Sequence, residues 1–394
     1  MKIKQLDIEG FRSFRKTSWH PGDLNVIIGP NGSGKSNLLR FLELLSLSAQ
    51  GRLGKHVQSL GGMDPIVWDG KASSIKCVLK TTSLNDNRLP EQYELEMLGL
   101  GGGSAYRIGS ERLTNYREVR SGSQDEPFIF LDRTGKAAVI FDASQSRFTT
   151  PEEFVSDEET LLSLTSGPFT HNPRIPPFQK WLASISIYHD IHTNRDASLR
   201  SPVVSRMEKH VDPDGQNLVS VLHTLYTSDR EFKRDINSAM RSAFGNDFEE
   251  LIFPPASDQR VQMRIRWKSL QREQSAAEMS DGTLRFLFLL AVLATPSPSP
   301  VIAIDEPETG LHPSMLPLVA EYAIDAASRS QVILTTHSTQ LLDAFGETKP
   351  VTTVSAWNDG ETVLRTLDGD ELDYWLKSYS LGSLFQSGEL EQMS

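Results

Sequence analysis

The residues Gly29-Pro30-Asn31-Gly32-Ser33-Gly34-Lys35-Ser36 spell GxxxxGKS, a spacing suited to holding a polyphosphate. The glycines let the backbone wrap closely enough for successive N–H groups, from Asn31, Gly32, Ser33 and Gly34 into Asn37, to face phosphate oxygens. Lys35 would neutralise phosphate charge, and Ser36 would ligate Mg²⁺. Far along the chain, Val301-Ile302-Ala303-Ile304 runs into Asp305-Glu306-Pro307. An apolar strand ending in two carboxylates supplies the rest of such a site: Asp305 to support Mg²⁺ through water, and Glu306 to orient and polarise an attacking water. Two smaller signals flank it. Met279-Ser280-Asp281-Gly282-Thr283 opens an apolar helix, a pattern that equally suits a plain N-cap with a flexible turn. Gln331 to Thr336 reads as a strand delivering His337, whose imidazole could contact a γ-phosphate.

These residues need a particular scaffold. Leu24 to Ile28 is an apolar run before the glycine loop and Asn37 to Leu45 is helix-like after it, so the local order is strand, loop, helix. The expected fold class is α/β, a P-loop nucleotide-binding core with a β-rich lobe and a small helical insertion. Residues 1–63 carry the phosphate loop, and 276–394 carry the carboxylates and His337. Residues 64–194 read as short strands, including a hairpin around Asp132 to Lys136, followed by an acidic and proline-bearing stretch at 151–178 expected to cross the surface unpacked. Residues 195–275 switch to a helical period, clearest from Phe232 to Phe244, and then return to alternation.

Bulk composition narrows the class. The chain has 394 residues, a formal charge of −11 and 38% hydrophobic content, which excludes whole-chain disorder and argues against whole-surface attraction to nucleic acid or anionic lipid. One cysteine, Cys77, makes no internal disulfide and fits a reducing cytoplasm. The longest apolar run, Phe286 to Ala294, is nine residues, about half of what a membrane span needs, so no membrane insertion is expected.

The ordered set Gly29 to Ser36, Ser280 to Thr283, Ile304 to Pro313 (IDEPETGLHP) and His337 resembles the ABC-type ATPases of the RecF-like, SMC-like and OLD-like group, in particular the stand-alone AAA-family ATPases. The opening Ile8 to Phe14 and the late Tyr379 to Leu384 carry the same likeness, and the middle, about 64–275, matches loosely. The resemblance implies ATP and Mg²⁺ as ligands, with Lys35 and Ser36 on phosphate and metal, Asp305 on metal, Glu306 as catalytic carboxylate and His337 as switch histidine. It makes Ser280, Gly282 and Thr283 a signature and puts Arg12 and Ser13 near the base and ribose. It further implies a homodimer that sandwiches two ATP molecules, each held by one chain's phosphate loop and the other's signature. SDGT departs from the transporter SGGQ, and Gln58 is the one candidate for the lid glutamine.

Three functions follow from this reading. The leading one is an ATP-driven switch in DNA repair or anti-phage defence, acting on DNA or on a separate nuclease or effector. The 57 residues after His337 are too few for the TOPRIM nuclease fused in OLD-type proteins. The others are the ATP-binding subunit of a membrane transporter and a nucleotide-gated toxin regulator that touches no DNA. Arg260, Arg264, Arg266 and Lys268 alternate as one basic face that could meet phosphates or be a plain solvated face. His189 and His192 carry metal-ligand chemistry but lack an identifiable third partner.

Overall fold

Alternation near the N-terminus makes β1 (Ile3–Phe11) and β2 (Phe14–Trp19), and the continuous apolar run makes β3 (Leu24–Ile28). The computed structural model describes residues 1–84, 89–101, 104–116, 127–151, 155–165, 172–367, 372, 375, 376 and 379–392. After the glycine loop come α1 (Lys35–Ala49) and α2 (Leu53–Ser59). Six strands follow: β4 (Ser74–Thr81), β5 (Glu91–Gly99), β6 (Tyr106–Asn115), β7 (Ile129–Thr134), β8 (Ala137–Asp142) and β9 (Arg147–Thr149). With β1 and β2 they form an antiparallel sheet in the order β2-β1-β4-β5-β6-β7-β8-β9. This sheet takes strands from both sides of the expected division between residues 63 and 64. The hairpin expected around Asp132 to Lys136 is the β7–β8 pair.

The stretch expected to cross the surface is instead packed where it is described, residues 152–154 and 166–171 lying outside the described residues. It forms α3 (Leu161–Leu164) and α4 (Ile175–Ala183), which bury Leu161, Leu162, Ile175, Phe178 and Leu182 completely. Pro176 and Pro177 read as breakers, yet they occupy the first turn of α4, where backbone N–H groups have no helical partner to lose. Buried Glu111 on β6 caps α3, accepting hydrogen bonds from the N–H groups of Leu161 (2.6 Å) and Leu162 (2.9 Å) and from the Tyr93 hydroxyl (2.9 Å).

Glu111→Ala would strand all three donors and is expected to cost about 3 kcal/mol, whereas Glu111→Gln should cost less. Burial raises the Glu111 pKa against the pull of those donors. An acid whose folded pKa is raised binds its proton more tightly folded than unfolded, so wild type loses stability as pH rises above about 4.5. Urea unfolding across pH should show Glu111→Gln gaining on wild type over that rise. A constant difference would show that Glu111 binds its proton equally well folded and unfolded.

The chain continues through β10 (Ser186–Tyr188), β11 (Val203–Val204), α5 (Leu218–Ser228) and α6 (Arg230–Phe244). Asp229 starts α6 by accepting from the N–H groups of Glu231 and Phe232. Short strands β12 (Phe248–Ile252), β13 (Pro255–Ala256), β14 (Arg260–Val261), β15 (Arg264–Trp267) and β16 (Gln274–Ser275) follow. Then come α7 (Asp281–Leu293), β17 (Val301–Asp305), α8 (Leu316–Ala327), β18 (Gln331–Thr335), α9 (Thr339–Ala344), β19 (Val351–Asn358), β20 (Glu361–Thr366) and α10 (Leu381–Ser387).

The second sheet has the order β10-β17-β18-β3-β19-β20, parallel throughout except for its last pair. Its central strands β3, β17 and β18 are buried on both faces, as their apolar sequences require. Ile27, Val301, Ala303 and Ile333 face α1, α4 and the antiparallel sheet, while Val26, Ile28, Ile302, Ile304, Val332 and Leu334 face α5 to α8. The helical segment therefore shares the core of the parallel sheet. Each fully buried Val or Ile side chain contributes about 1.5–3 kcal/mol, so the strands that end at the site are among the most firmly held parts of the molecule.

The basic stripe does not exist as one face. Arg260 lies on β14, paired with β11 and β13, whereas Arg264 and Arg266 lie on β15, paired with β12 and β16. Arg266 meets Glu250 at 2.8 Å and Glu273 at 3.0 Å, Arg264 approaches Glu273 at 3.6 Å, and Lys268 donates to the Asn246 carbonyl at 2.7 Å. Carboxylates have answered the charge of the two β15 arginines, so a phosphate chain would have to displace Glu250 and Glu273 there.

Candidate nucleotide-binding site

Three parallel strands deliver the site's side chains at their carboxyl ends, where open α/β sheets bind ligands. β3 leads into the glycine loop, β18 lies beside it, and β17 comes next, so one strand separates the carboxylates from the loop. Gly29, Gly32 and Gly34 have φ of 146°, 82° and 97°. A Cβ on Gly29 would come within 2.2 Å of the Ser355 carbonyl, and one on Gly34 within 2.2 Å of Thr362 Oγ1, whereas one on Gly32 would meet nothing within 4 Å. The loop is thus clamped below and open above. Its underside is held by Ser355 and Thr362, whose hydroxyls donate to the Ser33 carbonyl at 2.9 and 2.8 Å.

Lys35 is buried, and its ammonium donates to the carbonyls of Gly29 (2.7 Å) and Pro30 (3.1 Å). Burial lowers its pKa, opposed by Glu306, Asp305 and Glu308. Ser36 Oγ donates to Asp305 Oδ1 at 3.2 Å, across 269 residues of sequence. Thr335 Oγ1 donates to the same oxygen. Burial alone would raise the Asp305 pKa, but contacts with His189, Thr335 and Ser36 outweigh it and lower the value.

Glu306 has a left-handed backbone (φ 46°), and its N–H donates to both the carbonyl (3.2 Å) and the hydroxyl (3.1 Å) of Thr335. Its Oε1 lies 3.1 Å from His337 Nδ1. The two residues named separately from sequence are therefore one hydrogen-bonded pair. Ser13 is also at the loop: its hydroxyl accepts from Asn37 Nδ2 (2.8 Å) and its carbonyl from the Thr362 N–H (2.8 Å). Arg12, φ 46°, lies over the Phe11 ring and has its pKa lowered by burial and by Arg40. Asn31 and Gly32 are exposed, as is Gln58 on α2.

Ser280 caps α7, accepting from the Thr283 N–H at 3.1 Å, with the two hydroxyls 2.8 Å apart. Ser280 is thus the N-cap of α7. Gly282 has no room for a side chain, because a Cβ would meet the Gly310 carbonyl at 2.8 Å. The largely covered side chain of Arg200 holds the segment before the helix through the carbonyls of Met279 (2.7 Å) and Ala276 (3.2 Å), and it pairs with Asp281.

Sequence reasoning missed Glu308, Thr335, His189 as a site residue, and Glu43. Glu308 is a buried carboxylate that accepts from Thr336 Oγ1 and from the His337 N–H at 3.3 Å, and burial raises its pKa. Its signal was the third acid of Asp305-Glu306-Pro307-Glu308. His189 follows β10 as Asp305 ends β17, the same strand-end logic. Among the described residues no group of three or more His, Cys, Asp or Glu is arranged to hold a metal ion.

Ser36 and Asp305 do fit Mg²⁺ in another sense: they are hard oxygen donors side by side, of the kind that bind this ion together with substrate phosphates. The open face over Gly32, and the buried Ser33 hydroxyl without a hydrogen-bond partner among the described residues, leave polar capacity in the cradle.

Fold and site together define a P-loop nucleotide-binding protein of the AAA ATPase class. The chain belongs to the family described as AAA domain, putative AbiEii toxin, Type IV TA system, whose model matches residues 24–343. Its fold is similar to that of an SMC head bound to the C-winged helix domain of ScpA, with a TM-score of 0.56 at 14% identity, covering 95% of this chain and 100% of that one. It is also similar to an Smc head with an extended coiled coil, bound to the C-terminal domain of ScpA derived from Pyrococcus furiosus. There the TM-score is 0.52 at 13% identity, covering 95% of this chain and 98% of the other. A comparison with curated proteins finds no match. Among the described residues no helix is long and apolar enough to cross a membrane.

Proposed function

We propose that the protein is a nucleotide-gated switch: it binds ATP and Mg²⁺ between two copies of itself, hydrolyses the ATP, and signals the bound nucleotide to a separate effector or nuclease in DNA repair or anti-phage defence. The observation that carries this reading is the division of the site. One chain brings Lys35, Ser36, Asp305, Glu306 and His337 together around the phosphate loop, while exposed Ser280 and the tightly packed Gly282 make their contacts at α7 and Gly310. A second chain's phosphate loop would complete the signature's role.

In this reading Lys35 turns from the carbonyls of Gly29 and Pro30 to phosphate oxygens, and Ser36 and Asp305 hold the metal. Magnesium, when bound, spreads the charge of the transferring phosphoryl group. Glu306 accepts a hydrogen bond from the attacking water, and His337 fixes the Glu306 carboxylate. Neutralised arginines on β15 favour a protein effector over a broad nucleic-acid groove as the immediate partner. The toxin–antitoxin wording of the family description supports the same class, and it weighs against a transporter subunit.

Sedimentation of Glu306→Gln with ATP, with ADP and without nucleotide tests the gate. The mass should double with ATP alone; a mass independent of nucleotide overturns the proposal. Adding duplex DNA to the wild-type hydrolysis assay then separates the partners, since a DNA-acting switch changes its rate and an effector-directed one does not.

A further inference from the structure

His189 sits between two carboxylates that belong to different elements. Strand β10 pairs parallel with β17, with Tyr188 opposite Ile304, so the next residues, His189 and Asp305, emerge side by side. His189 Nδ1 lies 3.5 Å from Asp305 Oδ2, and Nε2 lies 3.4 Å from Glu43 Oε2 on α1. Both ring nitrogens are buried from solvent and neither makes a hydrogen bond among the described residues, so the two carboxylates, at ion-pair distance, are the groups they face.

The two oxygens of Asp305 have separate surroundings. Oδ1 takes hydrogen bonds from Ser36 and Thr335, on the side of the phosphate loop, and Oδ2 faces His189. A carboxylate gripped at one oxygen has one remaining orientation for the other. We propose that His189 is a positioning residue for the metal site: it holds Asp305 Oδ2 so that Oδ1 stays aimed beside Ser36, and Glu43 in turn fixes the imidazole. The inference rests on the reading of Ser36 and Asp305 as the metal-binding pair. Outer partners of this kind tune metal affinity by about 10- to 100-fold without touching the ion.

A purely structural histidine, tying α1 to β10, would predict something else. Its loss would lower the melting temperature and leave the response to magnesium unchanged.

The test is a titration of Mg²⁺ against binding of a fluorescent ADP analogue, with binding in EDTA as the metal-free reference and no turnover involved. His189→Ala should raise the Mg²⁺ concentration for half-maximal effect by about tenfold or more, with EDTA binding unchanged. His189→Asn, whose amide can donate from near the Nδ1 position, should recover most of the loss, whereas His189→Gln, which reaches toward Glu43, should not. Glu43→Gln should give a smaller shift in the same direction, and it carries the test if His189→Ala does not fold.

Wild-type magnesium response in both His189→Ala and Glu43→Gln, beside a shifted response in Asp305→Asn, overturns the positioning role alone. An unshifted Asp305→Asn overturns the metal assignment beneath it, and the inference falls with it.

Discussion

Glu306→Gln is expected to cut ATP turnover by about 100-fold or more while ATP affinity stays within about threefold of wild type. Glutamine has the same shape, so the contact of the side chain with His337 Nδ1, 3.1 Å in the structure, can survive. What disappears is a basic oxygen able to polarise water, an interaction that matters in the transition state and little in the ground state. The backbone should tolerate the change, because the left-handed conformation at this position (φ 46°) is imposed by two hydrogen bonds from its own N–H to Thr335. Phosphate release under saturating ATP, paired with equilibrium nucleotide binding, reads the two quantities separately. Undiminished turnover would remove Glu306 from its catalytic role and point to neighbouring Glu308, whose Oε1 accepts from Thr336 and the His337 backbone while its buried Oε2 has no hydrogen-bond partner among the described residues.

The second large effect is a recovery. Lys35→Ala removes the buried ammonium that now holds the loop carbonyls of Gly29 and Pro30, and Ser280→Arg places a bulky cation on the exposed start of α7. Each variant alone should be close to inactive if every working site combines one chain's phosphate loop with the other chain's signature. In an equimolar mixture half of the dimers are mixed, and one of the two sites in each mixed dimer carries neither change. Activity should therefore return to about one-quarter of wild type. A mixture no more active than its components sinks the shared-site arrangement, and full activity in Ser280→Arg alone does so more directly.

The antiparallel lobe shows how much was legible. Short alternating runs such as Tyr93 to Met97 and the hairpin around Asp132 to Lys136 announced their strands, because a half-buried strand writes its two faces into a local period of two. That β1 and β2 join those strands was invisible, since antiparallel pairing leaves no mark that links Ile8 to Cys77. The prolines of α4 misled for a related reason: a proline in a first turn and a proline that breaks a helix look alike until the helix is seen to pack.

At the site the same boundary runs between neighbours and strangers in sequence. Sequence alone determined the glycine loop between strand and helix, the carboxylates at the end of β17 and the capped start of α7, because close backbone approach, strand ends and helix starts make demands that a few adjacent residues must satisfy. Tertiary structure decided which of these residues meet: Ser36 with Asp305, Glu306 with His337, and His189 with Asp305 and Glu43. It also decided that Arg266 spends its charge on Glu250 and Glu273. A residue's chemistry is local, but its partners are set by sheet order and strand register, which depend on how the whole chain buries its apolar faces.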